Sequence, residues 1–271
     1  MNIIESAYLK AKKNSGDEAF TDEDVNSNRG FAAPESREAH ELVSSRKQIS
    51  KMKQEPPYTN AELADRRLIY AKMSDTILLN SYRNLRTKLL ATSDSNNFLT
   101  LVTSVTPTGG SSLVAANLAA TFAFDEGKTS LLIDANIHHP VLNKLLSVNV
   151  DKGLIDFLEA EDWDGGEIIY DTRIPRLRLI PSGLVRENSA EYFTSKKMKV
   201  FIEHLISRYP DRYPIIDAPS IAISADTRIL VDLCDRVLLV VPYGQCTEEE
   251  VKRAAKAIGR EKLAGIVLNQ F

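Results

Sequence analysis

In the stretch TSVTPTGGSS, residues 103–112, small and polar residues have the spacing of a loop that binds phosphate. The stretch follows an apolar run and precedes a helical pattern, and the N–H groups at the start of a helix attract anions. Gly109 and Gly110 would let the backbone approach a phosphate closely. Ser112 stands where such loops carry the hydroxyl that holds magnesium. The chemistry indicated is nucleotide binding, with Ser111 where the loop usually has lysine.

The loop departs from the usual pattern, G-x-x-x-x-G-K-[ST], at two positions. Ser104 replaces the first glycine, and Ser111 replaces the lysine that contacts the β- and γ-phosphates. A hydroxyl brings only a neutral hydrogen bond, and losing one preorganised donor costs roughly 3 kcal/mol of barrier lowering, about a hundredfold in rate. Taken alone, the loop fits a weakened nucleotide site and an ordinary strand–loop–helix turn equally well.

Two carboxylates stand at the ends of apolar runs elsewhere in the chain. Asp134 closes a run in LLIDANIHHP, residues 131–140, and Asp217 closes another in YPIIDAPS, residues 213–220. A carboxylate at the end of a buried strand costs free energy unless it binds a metal, water or hydrogen-bond donors. Either aspartate alone fits a helix cap. Together with Ser112 they predict a magnesium site, because oxygen ligands suit this ion.

Apolar runs of strand type alternate with helical segments from residue 61 onward. Strands are predicted at 98–104, 129–134, 177–182, 213–217, 236–241 and 264–269, and helices near 113–126, 189–209, 224–234 and 247–260. Continuous apolar strands separated by helices indicate a doubly wound α/β domain with a parallel sheet covered on both faces. Ligands bind at the carboxyl ends of the strands in such a sheet. The loop and both aspartates are predicted to meet there.

The first sixty residues are predicted to be an extension of this domain, which spans residues 61–271. Residues 2–13 carry apolar side chains at helical spacing and indicate a short amphipathic helix. The following residues are polar and interrupted by prolines, so they predict a flexible tether. Tyr58 lies near the end of this tether and is expected to be accessible.

Composition narrows the classes of function. The formal net charge is -3, and no basic stripe alternates with aromatic residues, so nucleic acid is not an expected partner. Cys234 and Cys246 have the spacing of neither a disulfide framework nor a metal site. The longest apolar run is far shorter than the roughly 20 residues that cross a bilayer. We therefore expect a cytoplasmic protein that reaches the inner membrane only through a partner.

The ordered set of motifs resembles the bacterial tyrosine autokinases of exopolysaccharide and capsule synthesis, within the P-loop NTPases that have a deviant Walker A loop. Their loop has the form T-S-x-x-P-G-E-G-K-S, of which this chain retains Thr103, Ser104, Pro107, Gly110 and Ser112. Their motifs I-D-A-D-L-R-R-P and I-I-D-T-P-P are similar to IDANIHHP and IIDAPS, and GIVLN follows in the family's order. The resemblance covers about residues 74–271 well. The first dozen residues weakly resemble the subgroup linked to exosortase-type loci.

The resemblance implies ATP or ADP and Mg²⁺ as cofactors. The residues implied to bind the nucleotide are Ser104, Pro107, Gly109, Gly110, Ser111, Ser112 and, at the adenine, Asn269. Asp134 and Asp217 take the catalytic positions, and with Ser112 they hold the metal. The partner implied is an integral-membrane polysaccharide chain-length or co-polymerase protein.

Several positions depart from the family pattern. Asn136 replaces an acid in the second motif, and an amide cannot act as a base. His138 replaces a basic residue, and adjacent histidines rarely point to one metal. The family's oligomerising helix carries E-x-x-R-x-x-R, whereas this chain has Asn80, Arg83 and Arg86. A homo-oligomer through the two arginines is an expectation that competes with two ordinary surface arginines.

Three functions remain open from the sequence. The first is a degenerate relative that binds nucleotide weakly and regulates polysaccharide assembly by docking to a membrane protein. The second is an active Mg-ATP tyrosine autokinase that takes a replacement cation from Lys72, Lys128 or an arginine of a neighbouring subunit. The third is a partition or septum-positioning ATPase, which ranks last because its loop carries a further lysine that VTPTGG lacks.

Overall fold

The computed structural model describes residues 55–92, 97–161, 165–185 and 189–270, and the predicted helix at 2–13 lies outside them. Seven strands form one sheet: β1 (Thr100–Ser104), β2 (Thr129–Asp134), β3 (Tyr170–Asp171), β4 (Leu177–Ile180), β5 (Arg212–Asp217), β6 (Arg236–Pro242) and β7 (Leu263–Asn269). Their order is β3-β4-β2-β5-β1-β6-β7. All neighbours are parallel except β3 and β4. The predicted doubly wound, mainly parallel sheet is confirmed.

The helices cover both faces of this sheet. They are α1 (Asn60–Asp65), α2 (Thr76–Leu90), α3 (Ser111–Phe122), α4 (Leu142–Leu145), α5 (Leu154–Glu159), α6 (Ser189–Thr194), α7 (Lys196–Ser207), α8 (Ala225–Leu233) and α9 (Glu248–Ile258), with a 3₁₀ turn at Gly165–Ile168. The helix predicted at 189–209 is two helices, because the Ser195 side chain caps the second one by accepting a hydrogen bond from the Met198 N–H.

Two hydrophobic clusters form the core, one on each face. The cluster on one face includes residues of α5, α7, α8 and α9, and the other includes residues of α1, α2 and α3. Every residue of β1, β2 and β5 is buried, as expected for central strands covered on both sides. Helix α3 is also almost entirely buried, and the small residues Ala115, Ala116 and Ala119 let it lie close to the sheet. The core therefore holds the start of α3 firmly against the carboxyl ends of the strands.

The tether was predicted to extend to residue 60, but Tyr58 packs against the α/β core. The Tyr58 side chain is only 7% exposed, so its predicted accessibility is wrong. Its hydroxyl donates a hydrogen bond to the Leu146 carbonyl at 2.7 Å. The guanidinium carbons of Arg66 and Arg173 lie 4.5 Å and 4.2 Å from the centre of its ring. The cation–π contact with Arg173 comes from a residue distant in sequence, which local polarity cannot reveal.

The two arginines expected at an oligomer interface lie in different environments on α2. Arg86 is half-buried, and its Nη1 donates to the Thr121 carbonyl at the end of α3 at 2.9 Å. A cation at a helix C-terminus is favourable because it meets the negative end of the helix dipole. Arg86 thus joins α2 to α3 within one chain, whereas Arg83 is exposed. Oligomerisation through these arginines stays a prediction.

Candidate nucleotide and metal site

The predicted phosphate loop lies at the centre of the carboxyl edge of the sheet. It begins after Ser104, the last residue of β1, and ends at Gly110, the residue before α3. Strand β1 lies between β5 and β6, so the loop has a strand end on either side. Gly110 has φ of 85°, in the left-handed region that favours glycine. The first turn of α3 has no side-chain cap, which leaves its N–H groups available to an anion.

Ser104, which stands where the usual pattern has glycine, makes a hydrogen bond within the loop. Its Oγ donates to the Thr106 carbonyl at 2.7 Å, and the Gly109 N–H donates to the same carbonyl at 3.2 Å. A Cβ on Gly109 would lie 2.8 Å from the Ser104 Cβ, so glycine is required by close approach at this position. Pro107 forms the exposed outer part of the loop. In this conformation the Gly109 N–H is therefore used in a hydrogen bond within the loop.

Asn269, the residue implied to contact adenine, lies at the end of β7 and reaches the loop. Its Nδ2 donates to the Gly109 carbonyl at 3.1 Å. The structure thus brings Asn269 beside the loop. In this conformation its amide holds the loop, and adenine recognition by Asn269 stays a prediction.

The two aspartates meet as predicted. Asp134 and Asp217 are the last residues of neighbouring strands and pair directly in register, and each is completely buried. Asp134 accepts hydrogen bonds from the Asn136 N–H at 3.0 Å and the Leu142 N–H at 3.3 Å. Neither oxygen of Asp217 has a hydrogen-bond partner of good geometry among the described residues. Buried carboxylate oxygens without partners indicate a bound ion or water.

Burial dominates the electrostatics of this pair. It raises the pKa of Asp134 to about 7, although the backbone N–H groups of Asn136, Leu142 and Val141 act in the opposite direction. Burial and then the charge of Asp134 raise the pKa of Asp217 well above its usual range. The hydroxyls of Ser112 and Ser111 lower that pKa, so both lie close enough to bond the carboxylate. The pair therefore favours any cation that can reach it.

The residues present fit magnesium. Two carboxylates and the Ser112 hydroxyl offer the oxygen ligands that this ion prefers, and the Asp217 oxygens are without other partners among the residues described. Ser111 is 8% exposed and faces Asp217. Within the described part of the chain, no ion pair joins either aspartate to a basic side chain. The positive charge that a lysine at position 111 would bring has no counterpart there.

Of the replacement cations considered from the sequence, Lys128 lies at the amino ends of the strands, at the edge of the sheet opposite the loop. It precedes Thr129 at the amino end of β2, and its ammonium lies 5.6 Å from the centre of the Tyr213 ring. Asp134 ends the same strand, roughly 16 Å further along at about 3.3 Å per residue. Lys72 is exposed in the segment before α2. Lys128 therefore cannot serve the loop.

Sequence reasoning missed Asp226 as a neighbour of the second motif. The Asp226 Oδ2 lies 4.0 Å from the His138 Nε2, and both residues line a cavity of about 510 Å³ beside Asn136. His139 lines the same cavity. Asp226 lies in the first turn of α8, where an acidic residue is an ordinary helix-start feature, so the sequence alone gave no reason to join it to the site.

Comparison with known proteins identifies the family. No protein-family model matches the chain. The tyrosine-protein kinase CpsD of Streptococcus agalactiae serotype III is 30% identical over 215 residues, which are 78% of this chain and 89% of CpsD. The chain therefore belongs to the bacterial tyrosine-protein kinase family. It also matches EpsB of Ralstonia nicotianae at 31% identity over 205 residues, where it spans 27% of the relative's length.

Solved structures agree with this assignment. The tyrosine kinase domain of BceF aligns with a TM-score of 0.65 and 26% identity, over 79% of this chain and 91% of that chain. The cell division ATPase MinD of Pyrococcus furiosus aligns with a TM-score of 0.53 and 22% identity, over 64% and 71% of the two chains, and shares the fold. The family and the P-loop fold predicted from the motifs are confirmed. In the described part of the chain, none of the helices combines the length and the apolar character of a membrane-spanning segment.

Proposed function

We propose that the protein is a cytoplasmic, kinase-like regulator of exopolysaccharide or capsule assembly that binds Mg-ATP or Mg-ADP weakly. It transfers phosphate slowly or not at all. The observation that carries this proposal is the buried Ser111, which faces Asp217 where the family loop has lysine, in a site with no basic partner among the residues described.

The parts of the site that remain explain why binding is weakened and not lost. Gly109, Gly110 and the open first turn of α3 keep the form of a phosphate loop. Ser112, Asp134 and Asp217 would hold magnesium, which neutralises charge on the phosphate oxygens when it is bound. A hydrogen bond to a charged group contributes about 1.5–3 kcal/mol, so the missing ammonium reduces nucleotide affinity by roughly tenfold or more.

Phosphoryl transfer is weakened further by the second motif. Charge on the transferred phosphate is stabilised mainly by cations and preorganised donors, and position 111 offers neither a cation nor a strong donor. Asn136 cannot accept the proton of an attacking hydroxyl, since an amide has no basic group at neutral pH. Both departures reduce transfer, while the structural parts of the domain are retained.

An active tyrosine autokinase is the second candidate. The retained pair Asp134 and Asp217 and the relatives named tyrosine-protein kinases favour it. It requires a cation from Lys72 or from a neighbouring subunit. The partition-type ATPase has less support, because the fold alone is shared with MinD and the extra lysine of that class is missing from the loop.

Isothermal titration with Mg-ATP tests the proposed weak binding. We expect weak binding by the wild type and at least tenfold tighter binding by Ser111→Lys, because the new ammonium reaches the phosphates. Ser207→Lys is the matched control, since it adds the same charge at the exposed end of α7. Tight binding by the wild type, unchanged by Ser111→Lys, would contradict the proposal.

The partner proposed is an integral-membrane chain-length or co-polymerase protein, which would place this protein at the inner membrane. Support comes from the family assignment and from the amphipathic pattern of residues 2–13. Capture of membrane proteins by the full chain and by a chain lacking residues 1–13 tests whether this segment docks. We expect lower recovery without it, and equal recovery would remove that role.

A further inference from the structure

We propose that Ser111 belongs to a cation site: together with Ser112, Asp134 and Asp217 it holds a divalent cation in the absence of nucleotide. The inference deepens the proposed function and rests on it for the location of the site. It adds two claims to the proposed function. Residue 111 is a ligand of the metal, and the metal binds before the nucleotide.

The geometry concentrates negative charge where water is excluded. Asp134 and Asp217 pair in register at the ends of β2 and β5, and both side chains are completely buried. Moving a carboxylate out of water costs several kcal/mol unless a partner compensates it. Two such groups side by side also repel each other. A bound cation removes both costs at once.

The hydrogen bonds around the pair leave one side unsatisfied. The oxygens of Asp134 accept the backbone N–H groups of Asn136 and Leu142. The two oxygens of Asp217 have no partner of good geometry among the described residues, although the hydroxyls of Ser111 and Ser112 lie beside them. A carboxylate that is unsatisfied, buried and flanked by two hydroxyls offers an oxygen-rich position for Mg²⁺ or Mn²⁺.

Position 111 decides whether a metal binds without nucleotide. A lysine there would place an ammonium in the same confined space and neutralise part of the charge on the aspartates. Ser111 is buried at the start of α3, faces Asp217 and brings an oxygen with no charge. The serine therefore leaves the negative charge uncompensated and adds a ligand. Metal affinity and a lysine at position 111 are expected to oppose each other.

Titration of the full chain with Mn²⁺ in the absence of nucleotide tests the inference. Binding is followed by electron paramagnetic resonance of free Mn²⁺ and by the rise in melting temperature. We expect one saturable site in the wild type, competed by Mg²⁺. Ser111→Lys should weaken Mn²⁺ binding at least tenfold, and Ser111→Ala severalfold, because a ligand is lost without adding charge. Asp151→Asn changes an exposed carboxylate outside the site and should bind as the wild type does.

The outcomes separate this inference from the proposed function. Absence of saturable Mn²⁺ binding to the wild type, or equal binding by folded Ser111→Lys, overturns the inference. If Ser111→Lys nevertheless gains affinity for Mg-ATP, the proposed function stands alone. If the wild type binds Mn²⁺ as expected but binds Mg-ATP tightly, the inference stands and the proposed weak binding fails. Circular dichroism of each variant checks that it is folded. If Ser111→Lys does not fold, Mn²⁺ binding by Ser111→Ala tests the inference, and binding equal to that of the wild type overturns it.

Discussion

Asp217→Asn is expected to stabilise the metal-free protein at neutral pH, although it alters a buried residue of the candidate site. Asparagine keeps the size of the side chain and removes the ionisable group beside Asp134. Both residues are completely buried and pair in register. Burial raises the pKa of Asp134 to about 7, and burial together with the charge of Asp134 raises the pKa of Asp217 well above its usual range. The folded chain therefore binds protons that the unfolded chain releases.

The sign of the pH dependence follows from these raised pKa values. Between the unfolded value of 3.8 and the folded value of about 7, the folded chain binds more protons than the unfolded chain at Asp134. The stability from this group is complete below the lower pKa and is lost as pH rises toward the higher one. At about 1.4 kcal/mol per pKa unit, the loss at Asp134 is at most about 4.5 kcal/mol.

Urea denaturation in EDTA at pH 4.5 and pH 7.5 measures this loss. At pH 7.5 we expect Asp217→Asn to be more stable than the wild type by about 1–3 kcal/mol, because the amide has neither a charge to bury nor a proton to take up on folding. At pH 4.5 the difference should be small, since the wild-type pair is then largely protonated. Asp151→Asn serves as the control at an exposed site. An Asp217→Asn variant that is less stable than the wild type at pH 7.5 would refute the reasoning.

Two further substitutions test the loop and the packed N-terminal segment. Gly109→Ala places a Cβ 2.8 Å from the Ser104 Cβ and should lower the free energy of unfolding by about 1–3 kcal/mol. Adding Ser104→Gly to this variant should restore most of the lost stability. If the two substitutions have purely additive effects, the two residues do not clash. Tyr58→Phe loses the hydrogen bond to the Leu146 carbonyl and should cost about 1 kcal/mol, whereas Tyr58→Ala also loses the buried ring and should cost about 3–5 kcal/mol. Urea denaturation measures both, and no change at residue 58 would fit an exposed tether instead.

The sheet was predictable because each central strand is a continuous apolar run between helical segments. The same pattern placed Ser104, Asp134 and Asp217 at one edge, since parallel strands end on the same side of a sheet. Strand β3 was missed because two residues show no periodicity. The break at Ser195 was missed because a serine inside a helical pattern differs from a helix cap only in its hydrogen bond.

Contacts between distant parts of the chain could not be predicted in the same way. Tyr58 is buried because Arg66 and Arg173 flank its ring, and only folding brings Arg173 there. Arg86 donates to the end of α3, a contact that depends on how α2 and α3 pack. The orientation of Ser111 toward Asp217 likewise depends on where α3 begins relative to β5. Sequence identified the residue types at the site, and tertiary packing determined their partners.

The central claim is that the site lacks the lysine ammonium that efficient phosphoryl transfer needs, because position 111 is a serine. The most direct test is the rate of phosphate transfer from Mg-ATP, to protein tyrosine and to water, by the wild type and by Ser111→Lys. We predict a wild-type rate close to that of Asp217→Ala, and an increase of tenfold or more in Ser111→Lys. A fast wild-type rate that Asp217→Ala abolishes and Ser111→Lys does not increase would contradict the account.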